Sequence, residues 1–136
     1  MNILLTYLSV AATFVAVDMI WLSTMVERLY RPALGELLRP APNLTAAALF
    51  YLLYPIGLVG FAVLPAHAEG SALRAFLFGA MFGCFTYATY DLTNQATLRN
   101  WSTALSIADI TWGSLLAGIS AWIGYMVAQR IGSAPL

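Results

Sequence analysis

Apolar residues gather in four long runs, over positions 3–25, 44–64, 72–92 and 103–127, with short polar breaks between them. Each run meets or exceeds the roughly 20 residues that carry a helix across a bilayer core. The breaks carry their own signals. "RPALGELLRPAPN" (31–43) holds three prolines and two arginines, and Asn43 is a suitable N-cap for the second helix. "PAHAEG" (65–70) predicts a tight polar turn. Only "RNWS" (99–102) separates the third and fourth runs. That spacing predicts an antiparallel hairpin whose first helix continues to Leu98. The first run is too long for a cleaved signal, lacks a basic leader and has no small-residue cleavage site before Glu27, so a retained helix is expected. The fold class is all-α, an integral-membrane four-helix bundle forming one transmembrane domain with spans near 3–25, 44–64, 72–98 and 103–127.

Composition supports the same class. Hydrophobic residues make up 61% of the chain and charged residues 9%, whereas a soluble domain carries about 25% charged residues. There is no lysine, the six arginines are scattered and net charge is zero. No basic patch exists to grip nucleic acid, so that partner is excluded. Cys84 stands alone and cannot form an intrachain disulfide. Arg28, Arg31, Arg39 and Arg99 fall on one side of the spans, Arg74 and Arg130 on the other. The positive-inside rule places loops 1–2 and 3–4 in the cytoplasm and both termini outside.

The runs are interrupted by acids, and those acids are the candidate chemistry. Asp18, Asp91 and Asp109 lie within spans, while the three glutamates lie in loops. At 1.5 Å per residue each aspartate is expected about seven residues, or roughly 10 Å, from the loop-1–2/3–4 end of its helix. Span two carries no acid. Its Pro55 cannot donate to the Tyr51 carbonyl, and a carbonyl freed in lipid must find a partner inside the protein. Tyr87, Tyr90, Asp91 and Asn94 follow the i, i+3, i+4, i+7 rule and form one stripe. Ser102, Ser106, Asp109, Gly113, Ala117, Ser120 and Gly124 form another, and Gly79 and Gly83 make a notch on span three.

Each feature has a plainer reading. Small-residue stripes are ordinarily packing surfaces, an internal proline is ordinarily a kink, and a lone buried Asp can be a structural acceptor. Three acids at one depth weigh more, since each costs about 2.5–3.5 kcal/mol on insertion scales. No arginine is near in sequence, so at least one acid is protonated or a cation is shared. "DMIWLS" (18–23) and "DITWGS" (109–114) share D-x-x-W-x-S. Chance or parallel packing needs explain so short a match more simply than an inverted repeat does. Trp101 beside Arg99 reads as an interfacial anchor.

Absences bound the chemistry. Without lysine there is no retinal Schiff base and no PLP linkage. The single histidine, His67, excludes a histidine-box di-iron centre and a bis-histidine haem within one chain. C-x-x-C, H-E-x-x-H, G-x-G-x-x-G and P-loop patterns are missing, and no metal site is expected. Asn43-Leu44-Thr45 is formally a glycosylation sequon, but Asn43 is read as a cap.

"YDLTNQATLRNW", "ADITWGSLLAG" and "VDMIWL" together resemble the bacterial membrane proteins grouped as domain of unknown function 2177. The likeness covers essentially the whole chain, including the four-span plan. It implies a bacterial inner-membrane location and a role close to membrane-lipid modification, and it supplies no catalytic residue to carry over.

The residues point first to a polar pocket opening toward the loop-1–2/3–4 face. Asp18, Asp91 and Asp109 would be its titratable oxygens, and Tyr51, Tyr54, Tyr87, Tyr90, Asn94 and Trp112 would shape it. It would bind a lipid or other amphipathic small molecule, as an accessory to membrane-lipid modification. Three alternatives stay open: a small proton- or cation-coupled transporter working as a homodimer, a membrane enzyme using the carboxylates as acid and base, and a structural partner of another membrane protein.

Overall fold

The computed structural model describes residues 1–132, and among them there is no strand. Four helices are long and apolar enough to cross a membrane: α1 (Ile3–Leu37), α2 (Leu44–Ala68), α3 (Ala72–Thr97) and α4 (Thr103–Gly132). Their starts obey local chemistry. Asn2 Oδ1 accepts the Leu5 N–H at 3.1 Å, Asn43 Oδ1 accepts the Ala46 N–H at 3.2 Å, and Ser71 Oγ accepts the Arg74 N–H at 3.3 Å. Each side chain satisfies an amide that the first helical turn leaves free.

Two helices outrun their apolar patterns. α1 continues beyond Met25, and there Glu27 and Arg31, one turn apart, form an ion pair with Nε 2.9 Å from Oε1. α2 continues through Ala68, so the turn expected over 65–70 shrinks to Glu69 and Gly70, with Gly70 at φ +66°. Both extensions contain a proline, and both precede it with a π-helical turn, Val26–Tyr30 before Pro32 and Val59–Val63 before Pro65. In these turns the Arg31 N–H reaches back to the Val26 carbonyl and the Leu64 N–H to the Val59 carbonyl. The widened turn takes up the proline ring and its missing donor, which lets the helix go on.

α3 and α4 form the expected hairpin and the most extensive helix pair. Their contact is built from small residues. A Cβ on Gly79 would sit 2.7 Å from the Ala117 carbonyl oxygen, and one on Gly83 would collide with the Gly113 carbonyl. Gly124 takes the Val10 side chain of α1 in the same way. Ser106, Asp109, Gly113, Ala117, Ser120 and Gly124 of the predicted stripe are all buried. Phe14, Leu58, Val63, Leu116 and Ala121 complete a core in the half of the bundle nearer the termini.

α2 is attached unevenly. Its stretch Leu44–Leu58 leans on α1, whereas the turn Val59–Val63 is where it meets α3. The two helices therefore touch near their shared hairpin and part toward the other end. Tyr54 spans the start of that gap, its hydroxyl 2.8 Å from Thr86 Oγ1.

Candidate functional site

Asp18 lies on the inner face of α1 and is 6% exposed. Its Oδ2 accepts the Tyr51 hydroxyl of α2 at 2.5 Å, and its Oδ1 accepts the Trp112 indole N–H of α4 at 3.1 Å. One carboxyl group thus ties three helices. Tyr51 contributes its side chain here, not the carbonyl expected from Pro55. The neighbouring Leu52 carbonyl is the one that gains an extra donor, Tyr7 Oη at 2.9 Å.

Asp109 of α4, also 6% exposed, is served from α1. The Tyr30 hydroxyl donates to its Oδ1 at 2.5 Å, and the Trp21 indole N–H donates to Tyr30 Oη at 3.0 Å. Trp21 and Trp112 stack, with centroids 4.4 Å apart and planes 6° from parallel. The two D-x-x-W segments therefore cross. The tryptophan of each serves the aspartate of the other, Trp112 directly and Trp21 through Tyr30. The echo that a sequence reading assigns to chance or packing is a reciprocal contact in the fold.

Tyr30 and Trp21 are the residues that sequence reasoning missed. At about 100° per residue, an uninterrupted helix would turn Tyr30 roughly 120° away from Asp18. The π turn inserts one extra residue, which returns Tyr30 to within about 20° of that face. The signal was Pro32 two residues further on, since a proline inside a helix can be taken up by such a turn, as it is here and again before Pro65.

Asp91 of α3 is fully buried, and neither of its oxygens has a hydrogen-bond donor. What its carboxyl faces is the carboxyl of Asp109. The three acids expected to share one layer thus divide into Asp18, with two donors, and the Asp91–Asp109 pair. Among the described residues no three His, Cys, Asp or Glu side chains converge as a metal would need.

Beside these acids lies a cavity of about 530 Å³. Asp18, Leu22 and Tyr30 line it from α1, Phe50 and Tyr54 from α2, Thr86, Tyr87 and Tyr90 from α3, and Asp109 and Trp112 from α4. It occupies the gap between α2 and α3, closed at its narrow end by the Tyr54–Thr86 bond. Tyr87 is half-buried, packed on Gly113, where no Cβ could fit. Tyr90 stands at the mouth, 54% exposed, with its ring edge-on to Trp101 at 5.8 Å. Trp101 in turn donates to Ser106 Oγ at 3.0 Å. Of the residues read from sequence as the site, Tyr51 acts from behind through Asp18, Asp91 stands behind Asp109, and Asn94 stays half-buried outside the lining.

Over residues 3–126 the sequence matches the family described as "Predicted membrane protein (DUF2177)". The chain belongs to that family. Nothing among the curated proteins or the solved structures compared with it matches. In this membrane protein with four transmembrane-capable helices, the cavity offers carboxyl acceptors, aromatic faces and hydroxyls, and no Arg, Lys or His lines it. Such a surface can hold a hydrogen-bond donor or a cation beside apolar groups.

Proposed function

We propose that this protein binds an amphipathic small molecule from the surrounding bilayer, its polar end against Asp18 and Asp109 and its apolar part leaving between α2 and α3. The cavity carries the reading: two acids line it, together with residues of α2 and α3, which part from one another toward this end of the bundle. Under this reading the aspartates are intramembrane, and Arg28, Arg31, Arg39 and Arg99 mark the cytoplasmic side of a bacterial inner membrane. With acids and no cation in the lining, a phosphate or carboxylate head meets only like charge. A hydroxyl or ammonium head finds acceptors. The protein then serves membrane-lipid modification by holding donor-headed amphiphiles, not free fatty acids.

The stacked tryptophans report on the cavity. In a protein with Trp101→Phe and Trp122→Phe, tail-brominated dodecanol and dodecylamine should quench the remaining fluorescence saturably, and brominated dodecanoate should not. Asp109→Asn should weaken the amine at least tenfold. Equal quenching by all three compounds, or by none, removes the proposal.

Coupled export by a dimer is the second reading, favoured because neither cavity acid is paired with a cation among the described residues. Asp18→Asn protein in liposomes should then lose pH-dependent flux; unchanged flux excludes it.

A further inference from the structure

Asp91 is the acid for which the proposed binding cavity has no use. It lies behind the wall, fully buried, and both of its oxygens lack a donor. A buried acceptor without a donor is rare in a folded protein, and a buried charge without a partner is rarer still. Its neighbour sharpens the problem. Asp91 faces another acid, Asp109, from the adjacent helix α4.

The surrounding ionisable groups bring no relief. From α3, Tyr90 lies within electrostatic reach of both acids. Tyr87, also from α3, faces Asp109, Asp18 and Tyr30. From α1, Tyr30 already gives its hydroxyl hydrogen to Asp109. From α2, Tyr51 is spent on Asp18 and Tyr54 on Thr86. The ion-paired arginines, Arg31 and Arg74, are bound to Glu27 and Glu69. Arg28 is exposed on the π turn of α1, Arg39 and Arg99 are exposed in the loops, and Arg130 is exposed at the far end of α4.

We propose that Asp91 and Asp109 hold one proton between them, Asp91 donating its O–H to the Asp109 carboxylate. A single added proton removes both faults: Asp91 gains an acceptor for its hydrogen, and the facing pair carries one negative charge instead of two. Asp109 then receives two hydroxyl hydrogens, one from Asp91 and one from Tyr30. The pair is a proton-binding site that opens to the cavity through Asp109 alone, because Asp109 lines the cavity and Asp91 does not. The inference is independent of whether an amphiphile binds.

Infrared spectroscopy of the full chain in detergent tests it. With carboxyl-¹³C aspartate and unlabelled glutamate, the wild type at pH 7 should show one isotope-sensitive C=O band of a protonated carboxyl per chain. Asp91→Asn should abolish the band, since the amide supplies the missing donor and leaves Asp109 ionised. Asp18→Asn should leave it in place. A wild type without the band, or an Asp91→Asn protein that keeps it, overturns the proposal. So does loss of the wild-type band on exchanging choline for sodium at constant pH, which would make a metal cation the bound species. Should Asp91→Asn fail to fold, the wild-type band decides alone, and it must disappear at alkaline pH with release of one proton per chain.

Discussion

The two halves of this bundle use the same four helices and solve opposite problems. In the half toward the termini, Gly79, Gly83 and Gly124 press against Ala117, the Gly113 carbonyl and Val10, with no room for a methyl group. In the half toward the loops, Phe50, Tyr54, Tyr87, Trp21 and Trp112 keep the helices apart, and the cavity of about 530 Å³ lies among them. The first half is held by close approach of backbones, as membrane helices commonly are. The second is held by directed bonds to Asp18 and Asp109. Small residues close a bundle, while large ones anchored at their polar tips can hold it open.

Three substitutions probe the contrast, in falling order of effect. Gly83→Val drives a side chain into the Gly113 carbonyl and the Ala117 methyl. It should cost about 3 kcal/mol or more by overpacking, seen as loss of the folded species in detergent unfolding. Asp18→Ala leaves the Tyr51 hydroxyl and the Trp112 N–H without their acceptor. About 2 kcal/mol should be lost, and Asp18→Asn, which keeps an acceptor oxygen, should lose less. Phe50→Ala widens the gap where Phe50 packs on Tyr51 and Tyr54. Its cost should be about 1 kcal/mol, while the affinity for the brominated amine should change at least threefold. A Phe50→Ala protein as unstable as Gly83→Val would erase the distinction between the halves.

Much of this was legible in the sequence. Four spans, their hairpin pairing and the buried stripe from Ser106 to Gly124 follow from run length and a regular helical period, and both are local properties. Asp18, Asp109, Tyr54, Tyr87, Tyr90 and Trp112 all line the cavity. Three things were hidden. Tyr30 was masked by a π turn that breaks the period. The split of the acids into one and two depends on rotations of separate helices by a few tens of degrees. The gap beside Tyr54 depends on how α2 tilts, which no spacing along a single helix records.

The crossing of the two D-x-x-W segments has a consequence for descent. A substitution at Asp18 changes what is useful at Trp112, on another helix, and a substitution at Asp109 changes what is useful at Tyr30 and Trp21. Within either segment, the aspartate and its nearby tryptophan have no direct bond to preserve. Lineages of this family should therefore exchange these residues in pairs across helices, leaving mixed segments along them. The heritable unit is the crossing, and a search for the motif read along the chain would overlook the members that have changed it.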